Sequence, residues 1–178
     1  MAHFEKTVSE ETIFAGKVFT VKKKQVILEN GKEQQREVVL HNGGAAVLPV
    51  DKDGNVYLIR QYRIAFDEEV LEIPAGKLEK GEDPFEAAKR ELGEETGFTA
   101  DTYYDLGDMW PTVGYCSEKI YIYLATDLTK GDTNFDEDEF VTTVKMSFEE
   151  AYNMAMDGTI RDGKTVIALL KAKQLLKL

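Results

Sequence analysis

Cysteine and arginine are scarce in this chain, and it has no long apolar segment. Cys116 is the only cysteine among 178 residues, so no intramolecular disulfide can form and a reducing compartment such as the cytoplasm is expected. No stretch approaches the roughly 18 apolar residues of a membrane span. The first residues lack the basic segment followed by an apolar one that marks a secretory signal. These absences favour a cytoplasmic globular domain without a membrane partner.

Positive charge is also in deficit. The chain has 22 lysines and arginines against 33 aspartates and glutamates, which gives a net charge of −11. Such an excess of negative charge argues against nucleic acid or an anionic membrane as partner. It is compatible with a metal-dependent enzyme, because a bound cation brings positive charge to an anionic substrate. With 43% hydrophobic residues, the chain is long enough to bury a core without disulfides.

Turn residues and apolar patterns predict an α/β protein. Asn30-Gly31 and Asp53-Gly54-Asn55 are predicted to be hairpin turns. The pattern predicts two or three antiparallel strands within 13–40, strands at 45–50, 56–61, 69–74, 102–110, 119–125 and 140–146, and helices over 149–156 and about 164–176. The last helix is predicted to bury Val166, Ile167, Leu170 and Leu175. Strands interleaved with three helices indicate the α/β class.

The third helix lies within residues 76–98, and its limits can be read from the residue types. Asp83 is a good N-cap, and Pro84 suits the first helical position. Glu86 lies three residues after the cap, where it can close a capping box. Gly97 suits the left-handed residue that ends a helix. An apolar stripe is formed by Phe85, Ala88 and Leu92.

Three carboxylates crowd one face of this helix. Glu91, Glu94 and Glu95 share an arc of roughly 100°, and like charges at this spacing destabilise a helix by a few tenths of a kcal/mol per pair. Arg90 offsets only part of the repulsion. Clustered carboxylate oxygens are what Mg²⁺ or Mn²⁺ prefers, so the cluster indicates a metal site. The alternative is a solvated acidic helix face.

The spacing of the whole segment resembles the Nudix box. Gly76, Glu82, Arg90-Glu91-Leu92, Glu94-Glu95 and Gly97-Phe98 match all nine of its defined positions within 23 residues. The resemblance implies a hydrolase of a nucleoside diphosphate linked to another group. It implies a Nudix-type α/β/α sandwich with a mixed sheet (residues 43–178), preceded by a small N-terminal antiparallel β segment (residues 1–42). Relatives often use that segment for dimer and substrate contacts, so a homodimer is expected.

Site residues can be carried over from the family by position. The resemblance implies two or three Mg²⁺ or Mn²⁺ ions, with Glu91 and Glu95 as direct ligands and Glu94 as a ligand directly or through water. It makes the Ala75 carbonyl a further ligand and lets Glu82 hold an additional ion. It gives Arg90 the role of orienting the glutamates. Water must also be activated, and a carboxylate near the metals is the natural base. The family often places this base on a mobile loop, so Glu139 is our first candidate and Glu137 the second. A solvated acidic loop at 132–139 is the alternative.

Segments outside the box look like ADP-ribose pyrophosphatases. They are Arg36-Glu37, Arg60-Gln61-Tyr62-Arg63, the residues 71–76 and the residues 160–165. The resemblance implies hydrolysis of ADP-ribose to AMP and ribose 5-phosphate. The alternatives are hydrolysis of another nucleoside diphosphate sugar, such as ADP-glucose or GDP-mannose, and a non-catalytic module that binds ADP-ribose.

The pyrophosphate of such a substrate calls for guanidinium groups, which bind phosphate oxygens bidentately. Arg63 is our first candidate, Arg36 the second, and Arg60 the third, although each could instead pair with a surface carboxylate. The resemblance adds Glu37 and Glu72, beside these arginines and the box, as contacts to substrate or metal. It also adds Gly114 and Glu118, in a loop where Val113 replaces the proline common in relatives, which leaves the preferred sugar open.

Overall fold

The computed structural model describes residues 3–131 and 140–177. The strands among these residues are β1 (Lys6–Ala15), β2 (Phe19–Ile27), β3 (Glu33–His41), β4 (Gly44–Pro49), β5 (Asn55–Arg63), β6 (Glu68–Glu72), β7 (Ala75–Lys77), β8 (Phe98–Met109), β9 (Ile120–Lys130) and β10 (Val141–Ser147). The helices are α1 (Pro84–Thr96), α2 (Phe148–Met156) and α3 (Gly163–Leu176). None of the helices in these two ranges has the length and apolar character that crossing a membrane requires.

The described residues form two compact units. The first comprises the chain up to Gly43 together with Trp110–Lys119, and the second comprises Gly44–Met109 together with the chain from Ile120 onward. The first unit is built on an antiparallel sheet of order β1-β2-β3. The predicted Asn30-Gly31 turn joins β2 to β3, with Gly31 at φ 79°. β1 begins well before the strand expected from the sequence and is exposed along its length, so it carries no alternating apolar signal.

The second unit is organised by β4, which is buried at every residue. β4 runs parallel to β9 and antiparallel to β7, and β8 completes a mixed sheet of order β7-β4-β9-β8. Successive side chains of a strand point to opposite faces. Ala46 and Leu48 therefore join a core with α2 and α3, while Ala45 and Val47 join a core with α1. Helices cover both faces of the sheet, which confirms the α/β/α arrangement.

A second sheet of this unit has the order β10-β5-β6. The predicted turn at Asp53-Gly54-Asn55 forms, with Gly54 at φ 79° and the Asp51 N–H donating to the Asn55 carbonyl at 2.8 Å. The prediction that the two strands form a hairpin is wrong, because β4 and β5 lie in different sheets and the isolated bridge between Val50 and Val56 does not extend into a ladder. β5 instead pairs with β6 and β10, which lie later in the chain.

The buried face of α3 also differs from the prediction. The structure buries Lys164, Thr165, Ala168, Leu169 and Ala172. Leu170 and Leu175 are 40% and 46% exposed, while Val166 and Ile167 are partly buried against the core. The helix is apolar on much of its circumference, so the sequence did not distinguish its faces. The small alanines pack against the sheet where leucines were expected.

Candidate active site

α1 begins and ends where its residues predict. The Asp83 side chain caps the helix and accepts hydrogen bonds from the backbone N–H of Phe85 (2.9 Å) and of Glu86 (3.2 Å). Gly97 ends it in the left-handed conformation at φ 70°. The predicted capping box does not form, because the Glu86 carboxylate accepts a hydrogen bond from Lys89 Nζ at 2.9 Å instead. The caps fix the register that places the glutamates.

The inward face of α1 carries two of those glutamates. Glu91 and Glu95 are 7% and 3% exposed, beside the fully buried Leu92. A buried carboxylate is costly unless it is hydrogen-bonded or paired. Glu95 Oε2 accepts a hydrogen bond from the backbone N–H of Ala75 at 2.9 Å. This contact joins α1 to the start of β7 and brings two predicted metal ligands, the Glu95 carboxylate and the Ala75 residue, next to each other.

Gly76 gives the Glu91 carboxylate its space. A Cβ built on Gly76 would lie 1.7 Å from Glu91 Oε1 and 2.2 Å from Glu91 Cδ. These separations are far below van der Waals contact, so any side chain at this position would collide with the carboxylate. The glycine that opens the motif therefore allows the backbone of β7 to approach a predicted metal ligand closely.

One guanidinium links the acidic residues of this region. Arg90 donates to Glu91 Oε1 and to Glu94 Oε2, both at 2.8 Å, and to Glu82 Oε1 at 3.3 Å. Burial lowers the pKa of Arg90, but the charges and hydrogen bonds of these carboxylates outweigh burial and raise it above its ordinary value. Arg90 is therefore a permanent cation that fixes the orientation of the glutamates. Glu94 is about one-third exposed and faces solvent.

The donor set fits a divalent cation by its chemistry, since it offers carboxylate and carbonyl oxygens, which Mg²⁺ and Mn²⁺ prefer. In residues 3–131 and 140–177, no three His, Cys, Asp or Glu side chains are grouped so that they could hold a metal ion. The carboxylates turn toward Arg90 and the Ala75 N–H instead. Glutamate has rotatable side-chain bonds, so these carboxylates could turn toward a bound cation while the helix backbone stays in place.

A second cluster lies at Glu72, the last residue of β6, which is 2% exposed. Arg63 contacts it with Nε to Oε1 at 2.5 Å and Nη2 to Oε2 at 2.9 Å, and Lys164 Nζ also donates to Oε2. Burial raises the pKa of Glu72, but Arg63 and Lys164 outweigh it and hold the pKa below its usual range. Glu72 is therefore an ionised, doubly paired carboxylate, and a cavity of about 550 Å³ opens beside it.

The candidate substrate residues are divided between the two units. In the second unit, Arg60 is exposed on β5 and makes no ion pair with a residue that the structure describes. In the first unit, Arg36 on β3 pairs with Glu5, with Nη2 to Oε1 at 2.7 Å and Nε to Oε2 at 3.0 Å. Arg36 therefore pairs with a surface carboxylate, as the alternative interpretation of the arginines stated, whereas the partner of Arg63 is the buried Glu72.

The other candidates of the first unit lie on β3 and on the segment that bridges to it. Glu37 is exposed on β3. The N–H of Val39 donates to the Tyr115 carbonyl at 2.7 Å, which holds the turn that contains Gly114 against β3. Glu118 Oε1 lies 3.5 Å from His41 Nδ1 at the end of the same strand. The candidate bases Glu137 and Glu139 lie outside the described residues.

Three residues near Glu72 and Ile73 were not among the predicted site residues: Lys164 contacts Glu72, Thr165 contacts Ile73, and Asp162 contacts both Lys164 and Thr165. All three lie at the start of α3. Lys164 and Thr165 each follow their partner by 92 residues in the chain. Lys164 is 8% exposed and Thr165 is fully buried, which is unusual for their residue types. The segment 160–165 was the signal that could have found them, because it was one of the segments that resembled ADP-ribose pyrophosphatases.

Comparison with known proteins identifies the family. A model of the NUDIX domain matches residues 40–169, so the chain belongs to the NUDIX family of hydrolases. It is 39% identical to an ADP-ribose pyrophosphatase of Bacillus subtilis and 40% identical to a methanol dehydrogenase activator of Bacillus methanolicus, in each case over 93% of this chain and 90% of the relative. The crystal structure of an ADP compounds hydrolase matches with a TM-score of 0.85 and 28% identity, over 97% of this chain and 94% of that one. ADP-ribose pyrophosphatases of this family generally depend on divalent metal ions.

Proposed function

We propose that the chain hydrolyses the pyrophosphate of ADP-ribose to AMP and ribose 5-phosphate. The similarity to an ADP-ribose pyrophosphatase over 93% of the chain carries the proposal. All the glutamates of the box are present, and two of them are held on the inward face of α1. Their retention favours a catalytic metal site over a module that only binds the nucleotide.

Glu91, Glu95, Glu94, Glu82 and the Ala75 carbonyl would hold two or three Mg²⁺ ions, with Mn²⁺ as a substitute. Bound cations would neutralise the pyrophosphate and lower the pKa of water. Arg90 keeps the glutamates oriented. The carboxylate of Glu139, or of Glu137, would take the proton from the attacking water.

The substrate contacts form a separate part of the proposal. Arg63, Arg36 and Arg60 would bind the phosphates, and Glu37, Glu72, Gly114 and Glu118 would bind the remainder of the substrate. Arg63 and Arg36 already meet carboxylates, so phosphate oxygens would have to share or replace these partners. Arg60 has no such competitor among the described residues.

We also propose that the protein acts in the cytoplasm as a homodimer, with residues 1–42 contributing to the dimer and to substrate contacts, and 43–178 forming the hydrolase domain. Its partner is a small nucleotide sugar rather than nucleic acid or a membrane, in keeping with a net charge of −11. Sedimentation of the purified chain at several concentrations tests the dimer.

The substrate assignment is tested with a panel. Purified protein is incubated with ADP-ribose, ADP-glucose, GDP-mannose and NADH in the presence of Mg²⁺, and nucleoside monophosphate release is measured. AMP from ADP-ribose at the highest kcat/KM is the expected result. Faster hydrolysis of another nucleotide sugar would favour the alternative that Val113 leaves open, and no product from ADP-ribose would refute the proposal.

A further inference from the structure

The residues between β6 and β7 connect the second sheet to the strand that enters the metal motif. This connector, Glu72–Ala75, is held at its far end by two hydrogen bonds. The Pro74 carbonyl accepts from the N–H of Val47 at 2.9 Å, and the Ala75 N–H donates to Glu95 Oε2 at 2.9 Å. The position of the Ala75 residue and the orientation of the Glu95 carboxylate therefore depend on where the connector runs.

The near end of the connector is held by α3. The backbone N–H of Ile73 donates to Thr165 Oγ1 at 2.8 Å, and the Thr165 hydroxyl donates to Asp162 Oδ2 at 2.5 Å. Asp162 Oδ2 also caps α3 by accepting from the Thr165 N–H at 3.0 Å. Thr165 is fully buried, so its hydroxyl is shielded from solvent in the wild-type chain. The Thr165 hydroxyl therefore links the N-terminal end of α3 to the connector at Ile73.

Lys164, the preceding residue, strengthens the same end. Its ammonium donates to Glu72 and to Asp162 Oδ1, the latter at 3.0 Å. Glu72 is thus tied to α3 by one cation and to β5 by Arg63. A buried charge with several partners has little freedom to move. The start of the connector is therefore held at two adjacent residues, at Glu72 through its side chain and at Ile73 through its backbone N–H.

We propose that Thr165 is a positioning residue for the metal site: through the Ile73 N–H it fixes the connector that presents Ala75 to Glu95. The inference rests on the proposed function, because it takes Glu95 and Ala75 as metal ligands. Thr165 would touch neither substrate nor metal. Residues that hydrogen-bond a metal ligand directly change metal affinity about 10-fold to 100-fold when they are replaced. Thr165 acts from further away along the connector, so we expect an effect at the lower end of this range.

The test compares Thr165→Val with Thr165→Ser in the full chain. Valine keeps the shape but removes the hydroxyl, so Mn²⁺ binding, measured by the electron paramagnetic resonance signal of free Mn²⁺, should weaken about tenfold or more. Exchange of the Ile73 and Ala75 amides, measured by NMR, should accelerate. Thr165→Ser retains the hydroxyl and should restore both properties. At saturating Mg²⁺ the valine variant should recover most of kcat with little change in the KM for ADP-ribose.

The control is Ser147→Ala, which removes the hydroxyl that caps α2 through the Glu150 N–H at 3.1 Å. It should lower stability and leave Mn²⁺ affinity unchanged.

If Thr165→Val fails to fold, Thr165→Ala leaves room for a water at Ile73 and should show the same direction of change. Wild-type Mn²⁺ affinity and amide exchange in a folded Thr165 variant, or an equal loss of affinity in Ser147→Ala, would overturn the inference. A wild-type chain that binds Mn²⁺ but releases no AMP would refute the proposed function alone, since binding and exchange are read without substrate.

Discussion

Replacing Gly76 by alanine should separate activity from stability. The added Cβ would lie 1.7 Å from Glu91 Oε1, and real Cβ atoms do not approach other heavy atoms below about 3.0 Å, so the oxygen must move by about 1.3 Å or more. The three atoms nearest to this Cβ all belong to the end of the Glu91 side chain, which can rotate away. The backbone at Gly76 has an ordinary φ, so alanine introduces no strain there.

The expected loss of activity is much larger than the expected change in stability. Metal–ligand distances are held within about 0.2 Å, and misplacement of a catalytic group by about 1 Å can cost about 100-fold in rate. We therefore expect kcat/KM for ADP-ribose to fall by about 100-fold or more. Alanine reduces the conformational freedom of the unfolded chain and stabilises the fold by about 0.4–1 kcal/mol. This gain offsets the lost contact of Glu91 with Arg90, so the free energy of unfolding should change by about 1 kcal/mol or less.

Steady-state kinetics with Mg²⁺ and unfolding in urea measure the two quantities on the same samples. Gly93→Ala is the matched control, because its Cβ would meet only the Phe98 carbonyl at 3.9 Å and the residue lies on the same helix as Glu91. It should retain activity and gain about 0.5–1 kcal/mol of stability. A Gly76→Ala enzyme with near wild-type kcat/KM would refute the role of the close approach to Glu91, as would an equal loss of activity in both variants.

The remaining predictions concern the buried carboxylates. Glu95→Gln keeps an oxygen for the Ala75 N–H but removes the charge, so AMP release should fall by about 100-fold or more while the melting temperature changes little; unchanged release would argue against Glu95 as a ligand. Lys164→Met and Glu72→Leu should each cost about 3 kcal/mol, and the double variant should cost about 2 kcal/mol less than their sum, as measured by urea unfolding; strict additivity would contradict the pairing. Burial opposes ionisation of Glu72, but Arg63 and Lys164 hold its pKa below the ordinary 4.5, so its contribution to stability should be complete above about pH 4.5 and be lost as the pH falls through the lowered pKa. The difference in stability between wild type and Glu72→Gln should therefore shrink on acidification, and a growing difference would contradict this sign.

The features that could be predicted from the sequence are those with local causes. Asp83 and Gly97 limit α1 through contacts within a few residues, and the glutamate spacing follows from the helical repeat. The pairing of β4 with β9 and the contact of Lys164 with Glu72 join residues far apart in the chain, and no local pattern specifies them. The site was therefore predicted on α1 and missed at α3.

The parallel pairing of β4 with β9, which are far apart in the chain, affects the rate of folding. β4 ends at residue 49, and its parallel partner β9 begins at residue 120, so the central sheet cannot close during synthesis until the whole of α1 and β8 has been made. Contacts of large sequence separation must overcome the entropy of closing a long loop before they stabilise anything, and parallel pairings of this kind form slowly. During that interval the face of β4 that packs on α2 and α3 remains exposed to other partly folded chains, because both helices follow β9 in the sequence. The rate of refolding, and the dependence of its yield on protein concentration, should therefore be governed by the meeting of these two strands.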